Sequence, residues 1–119
     1  MHGLQTKDHL RNSIEHSGGF TWSPFQATPV SGYMVGITPI VTKPNNTNPL
    51  TNDELKLALE WIQSNPANLF LGGWKDSDDG VVYYDISAWY PDYNSAMYEA
   101  AMQGEKAIFN LSTMQEIKL

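Results

Sequence analysis

Hydrophobic positions recur along the chain with two periods, and the alternation between them marks the elements. In residues 4–16 (LQTKDHLRNSIEH), Leu4, Leu10 and Ile14 suit one apolar side of a helix, which Ser17-Gly18-Gly19 stops. Asn12 and Ser13 are weak helix formers within it. Phe20-Thr21-Trp22 reads as a short strand, followed by a loop punctuated by Pro24 and Pro29. After Gly32, the run Tyr33 to Val41 is rich in aromatic and β-branched residues and predicts a strand interrupted near Pro39.

Residues 43–50 (KPNNTNPL) predict a loop that offers almost nothing to bury. The next helix is marked by Thr51 as its cap and Glu54 three positions later, a capping-box pattern. Leu55, Leu59 and Ile62 share one side, Ala58 and Trp61 broaden it, and Ser64-Asn65-Pro66 ends the helix. Leu69–Trp74 and Val81–Ala88 then read as two strands joined by Lys75-Asp76-Ser77-Asp78-Asp79-Gly80, where Gly80 accepts positive φ. In the second strand Val82, Tyr84, Ile86 and Ala88 form the expected core face, alternating with Val81, Tyr83, Asp85 and Ser87. Gly72-Gly73 in the first marks a bulge or close packing.

Asp92 caps a third helix running to about Gln103. Its Ala96, Met97, Ala100 and Ala101 suit close packing on a sheet, and Gly104 terminates it. Ala107–Leu111 and Gln115–Leu119 complete the set as two strands, the last returning beside the former. The order from residue 33 is β, α, β, β, α, β. It predicts an α+β domain with an antiparallel sheet and helices on one face, with a ferredoxin-like βαββαβ core as the specific topology. The chain is expected to form one domain over residues 1–119, with residues 1–16 as an N-terminal helical extension and extra strands decorating the core.

Composition supports a packed core. Of the 119 residues, 41% are hydrophobic, 12% aromatic and only 17% charged, which argues against intrinsic disorder. There is no cysteine, which removes disulfides, thiolate catalysis and cysteine-ligated metal sites, and fits a reducing cytoplasm. The first twenty residues do not read as a signal peptide, and no segment is long and apolar enough for a membrane span. The net charge of −6 is uneven: residues 1–50 carry three basic and two acidic side chains, residues 51–119 four basic and eleven acidic. Phosphate binding needs Lys and Arg, so direct nucleic-acid binding is disfavoured and a protein with a basic surface is the expected partner.

Candidate chemistry is sparse. The Asp76-Ser77-Asp78-Asp79-Gly80 cluster fails as a calcium loop, because with Asp76 as position 1 the twelfth position is Ser87 rather than Glu, and no helix follows. His2, His9 and His16 are spaced by seven residues without a His-Glu-x-x-His pattern, so no metal site is expected. No phosphate loop, dinucleotide fingerprint or nucleophile elbow occurs, so neither a cofactor nor a catalytic residue is assigned. Asp85 stands out as the isolated acid, since its neighbours Val81, Val82, Tyr83, Tyr84 and Ile86 would raise its pKa if they desolvated it. Trp22, Phe25, Tyr33, Trp74, Trp89, Tyr90 and Tyr93 exceed what one small core requires, and exposed aromatics supply binding hot spots.

Five segments in order, Ser17-Gly18-Gly19-Phe20-Thr21-Trp22, Ser31-Gly32-Tyr33-Met34-Val35, Leu71-Gly72-Gly73-Trp74, Val82-Tyr83-Tyr84-Asp85-Ile86-Ser87 and Ala107-Ile108-Phe109-Asn110-Leu111, resemble a small bacterial family found on phages and mobile elements. The resemblance spans about residues 17–117. Glu105 departs from the Gln often expected there, so any role of that amide does not carry over. The resemblance implies a mobile-element accessory protein that interferes with a host defence or nucleic-acid-processing protein, and it brings no catalytic residue with it.

The expected function is therefore that of a small acidic protein-interaction domain, with Asp76, Asp78, Asp79, Trp74, Trp89 and Tyr90 as its binding residues. Two alternatives stay open. One is a small enzyme with a dispersed site drawn from Asp85, Tyr83 and His16; the other is a structural homo-oligomeric component.

Overall fold

A computed structural model describes residues 4–44, 50–76 and 78–119, with the side chains of 4–7 left aside. Among the described residues the chain forms α1 (Leu4–Ser17), β1 (Gly19–Trp22), β2 (Tyr33–Lys43), α2 (Asn52–Ser64), β3 (Leu69–Lys75), β4 (Val82–Tyr90), α3 (Tyr93–Gln103), β5 (Ala107–Asn110) and β6 (Gln115–Lys118). The strands make one curled, fully antiparallel sheet in the order β1-β3-β4-β2-β5-β6. The fold is α+β.

Strand β4 lies near the centre and sorts the sheet into two faces. Val82, Tyr84, Ile86 and Ala88 are buried, as alternation predicts. They join Leu69 and Leu71 of β3, Leu10 and Ile14 of α1, and Leu55, Ala58 and Ile62 of α2 in the main core. Ala96 and Ala100 of α3 pack on Val35 of β2 and Ile108 of β5, and Tyr90 touches both clusters. All three helices thus sit on the same side of the sheet.

Local chemistry explains the helix ends. Thr51 caps α2: its hydroxyl accepts from Glu54 N at 3.2 Å, while Glu54 Oε1 accepts from Thr51 N at 2.8 Å. The same carboxylate oxygen takes a 2.8 Å ion pair from Lys43 Nζ, tying α2 to the end of β2. Asp92 caps α3 and Gly104 ends it in the left-handed conformation, φ 70°.

Four expectations need correction. Leu50, placed in a loop with little to bury, is only 2% exposed. It stands at the position before the cap and Leu55 at the fourth helical position, the two places of a hydrophobic staple, and both enter the main core. The rest of that expected loop, 45–49, lies outside the described residues, as do His2 and Ser77. Trp61 does not broaden the core side of α2 but is 41% exposed, because Leu55, Ala58 and Ile62 already fill the contact with the sheet. Ala101 is likewise exposed, leaving Ala96 and Ala100 to make the close packing of α3. Pro39 does not interrupt β2, which continues to Lys43 with register shifts between Gly36 and Thr38 and between Pro39 and Val41. Strand β5 pairs with β2 only at Tyr33 and Met34, so β2 has a single strand neighbour at Pro39, an edge setting in which proline is tolerated.

Replacing Thr51 with alanine removes the hydroxyl half of the capping box. The expected loss is about 1 kcal/mol of unfolding free energy, read from chemical denaturation with an unchanged m-value.

Candidate functional site

The second face of the sheet divides into two halves. At one end Met34, Phe70 and Leu111 are buried together, with Trp89 and Phe109 against them. Trp89 is fixed there: its indole N–H donates to the Ser31 carbonyl at 2.9 Å. Gly32, at φ 88°, lies beneath the ring, where a Cβ would come within 2.5 Å of Nε1. At the other end the face is open. Trp74 and Tyr83, paired across β3 and β4, stack at 4.7 Å with their planes 18° apart, and Trp74 is 42% exposed.

Asp85 lies where the two halves meet. Alternation along β4 places it on the same face as Tyr83, Ser87 and Trp89. Its cross-strand neighbour in β3 is Gly72, and on the β2 side the irregular register brings Gly36 close. A Cβ on Gly72 would fall 2.6 Å from Asp85 Oδ1, and one on Gly36 3.1 Å from Oδ2. The carboxylate lies over the space that two missing side chains leave. The close packing anticipated at Gly72-Gly73 is of this kind on one face, and on the other the Phe20 ring covers Gly73.

A second acid shares the floor. Glu105 Oε1 stands 2.9 Å from the point where a Gly36 Cβ would be, so both carboxylates border one glycine. Burial pushes the Asp85 pKa up to about 6; the Ser87 hydroxyl, donating to Oδ1 at 3.2 Å, opposes this, and the Glu105 charge adds to it. Desolvation also raises the pKa of Glu105. The arrangement sets a partly dehydrated Asp85 next to the more exposed Glu105 on a glycine floor, beside an aromatic stack whose Trp74 is exposed.

The residues singled out from sequence distribute unevenly around this point. Trp74 leads directly into the hairpin that carries Asp76, Asp78 and Asp79. In that hairpin Asp76 Oδ1 accepts from Asp78 N at 2.8 Å and Asp79 Oδ1 from Val81 N at 2.9 Å, so two of the three carboxylates shape the turn. Trp89 is on the same face but belongs to the closed half. Tyr90, its chain neighbour, points to the helix side, where it touches both core clusters. His16 is exposed in the last turn of α1, also on the helix side, so it does not converge with Asp85 and Tyr83. Sequence reading found Asp85 but not Gly36 or the partnership with Glu105. The signal available was a glycine inside a β-rich run, which marks close approach. Among the described residues no group of three or more His, Cys, Asp or Glu side chains is gathered to hold a metal.

No protein-family model, curated protein or solved structure matches the chain.

The raised pKa has a definite sign for stability. The folded chain holds the Asp85 proton more tightly than the unfolded chain, so this contribution is full below about pH 4 and is lost as pH rises through about 6. Asp85→Asn keeps an acceptor for Ser87 and removes the charge. The variant is expected to exceed the wild type in stability at pH 8 by on the order of 2 kcal/mol, with the gap closing toward pH 4. Denaturation curves across that range check this, and a variant less stable than wild type at every pH contradicts it.

Proposed function

We propose that the chain is a small acidic protein-interaction domain whose open sheet face receives a basic side chain of a partner protein. The observation that carries this reading is Asp85, held partly dehydrated with the exposed Glu105 across Gly36 and the Trp74–Tyr83 stack beside it. An ionised carboxylate in that setting is disfavoured by the fold alone. A guanidinium or ammonium group placed over the two glycines supplies the missing opposite charge, and the aromatic rings supply apolar contact for its stem. The acidic hairpin adds a longer-range field, which speeds encounter with a basic surface.

On this reading the chain acts as a mobile-element accessory or inhibitor that occupies a basic surface of a host defence or nucleic-acid-processing protein. The excess of acidic residues in 51–119 supports that choice of partner over a nucleic acid. We also take β2, α2, β3, β4, α3 and β5 as a ferredoxin-like core, decorated by α1, β1 and β6. The inner order β3-β4-β2-β5, antiparallel throughout, supports it.

The test begins with affinity capture from the native host and proceeds to kinetics with the captured protein. Trp74→Ala and the pair Asp85→Asn with Glu105→Gln are each expected to weaken binding at least tenfold, about 1.4 kcal/mol. Changing Asp76, Asp78 and Asp79 together to Asn keeps acceptors for the turn while removing charge. It should slow association and flatten its salt dependence, with little effect on dissociation. The reading is overturned if no stoichiometric protein is retained, or if all three variants bind as the wild type does.

A further inference from the structure

On the opposite side of the sheet, a cleft of about 370 Å³ opens between the end of α2 and α3. This is within the range of small-molecule pockets, roughly 300–1,000 Å³. Its apolar lining comes from the sheet: Ile37 of β2, Leu69 of β3 and Ala88 of β4. Its polar lining comes from the helices and their connection. Glu99 and Gln103 stand one turn apart on α3, and Asn65 and Asn68 lie in the segment that leads from α2 into β3.

The electrostatics of this cleft have one sign. Glu99 is the acidic side chain in the lining, and no Lys, Arg or His lines it among the described residues. Gln103 Nε2 donates to Glu99 Oε1 at 3.1 Å, which orients the carboxylate. The Tyr90 phenol borders the same space, and desolvation together with the Glu99 charge raises its pKa, so it remains a neutral hydroxyl at physiological pH.

We propose that this cleft binds a small organic cation, a primary amine or guanidine on a compact apolar body. The cationic head pairs with Glu99, and the body rests on Ile37, Leu69 and Ala88. The Asn65 and Asn68 amides offer hydrogen bonds at the rim. An anionic ligand of the same shape meets only the repulsion of Glu99, and a neutral one forfeits the charge pairing. The site is separate from the open face and does not depend on the interaction reading.

Phenethylamine is a suitable probe, with phenethyl alcohol and phenylacetate as neutral and anionic controls. Amide shifts of the ¹⁵N-labelled full chain are followed at pH 7. The expected result is saturable shifts at Asn68, Tyr90, Glu99 and Gln103 with phenethylamine, at least tenfold weaker binding of the alcohol, and none of the acid. Glu99→Gln preserves a side chain of the same shape beside Gln103 and should weaken phenethylamine at least tenfold, with an unchanged melting temperature confirming its fold. The proposal is overturned by shifts that do not saturate, by shifts centred elsewhere, or by equal affinity for amine and alcohol. It is also overturned if the folded Glu99→Gln variant binds as the wild type does.

Discussion

The alternation of side chains along β4 is the constraint on which the rest of the structure depends. Even-numbered positions from Val82 to Ala88 must be apolar, because α1 and α2 close over them. Odd-numbered positions are thereby committed to the other face, and there the chain places Tyr83, Asp85, Ser87 and Trp89. A one-residue slip would bring Asp85 into the main core and expel Tyr84, so the register is strongly specified. The helix layer fixes the register, and the register fixes the site.

The second face shows a division of labour. Its closed half is a satellite core around Phe70, which locks Trp89 and the turn at Gly32. Its open half keeps Trp74 and Tyr83 in contact with solvent. Asp85 stands at the boundary, too close to the closed half to be fully hydrated and too close to the open half to be sealed in. Gly72 and Gly36 permit this by leaving room for the carboxylate to lie against the backbone. A fold optimised for stability alone would place a neutral side chain here, and the proposed charged partner is one way to account for the acid.

Much of the fold was legible because its signals are local. The capping box at Thr51 and Glu54, the αL glycine at Gly104 and the two-residue period of β4 each fall within a few positions of one another. Trp61 was misread because the helical stripe is wider in sequence than the contact the sheet provides. Leu50 was misread because its Pro- and Asn-rich neighbours advertise a loop, while its own role is to clip the start of α2. The site was only half legible. Asp85 announced itself as an acid in a β-rich run, but Gly36 and Glu105 reach it through strand pairing and an irregularity in β2 that no local pattern encodes. Trp89 and Tyr90, both expected among the binding residues, fall on opposite faces of the sheet by the alternation that identified the core.

The central claim is that the glycine floor holds Asp85 partly dehydrated on an otherwise open face. Its most direct test is the titration of the Asp85 side-chain carboxyl carbon by NMR in the unliganded protein. A midpoint near pH 6 is the predicted result. A midpoint near the ordinary aspartate value, about 4, would mean that the carboxylate is fully hydrated and would contradict the account.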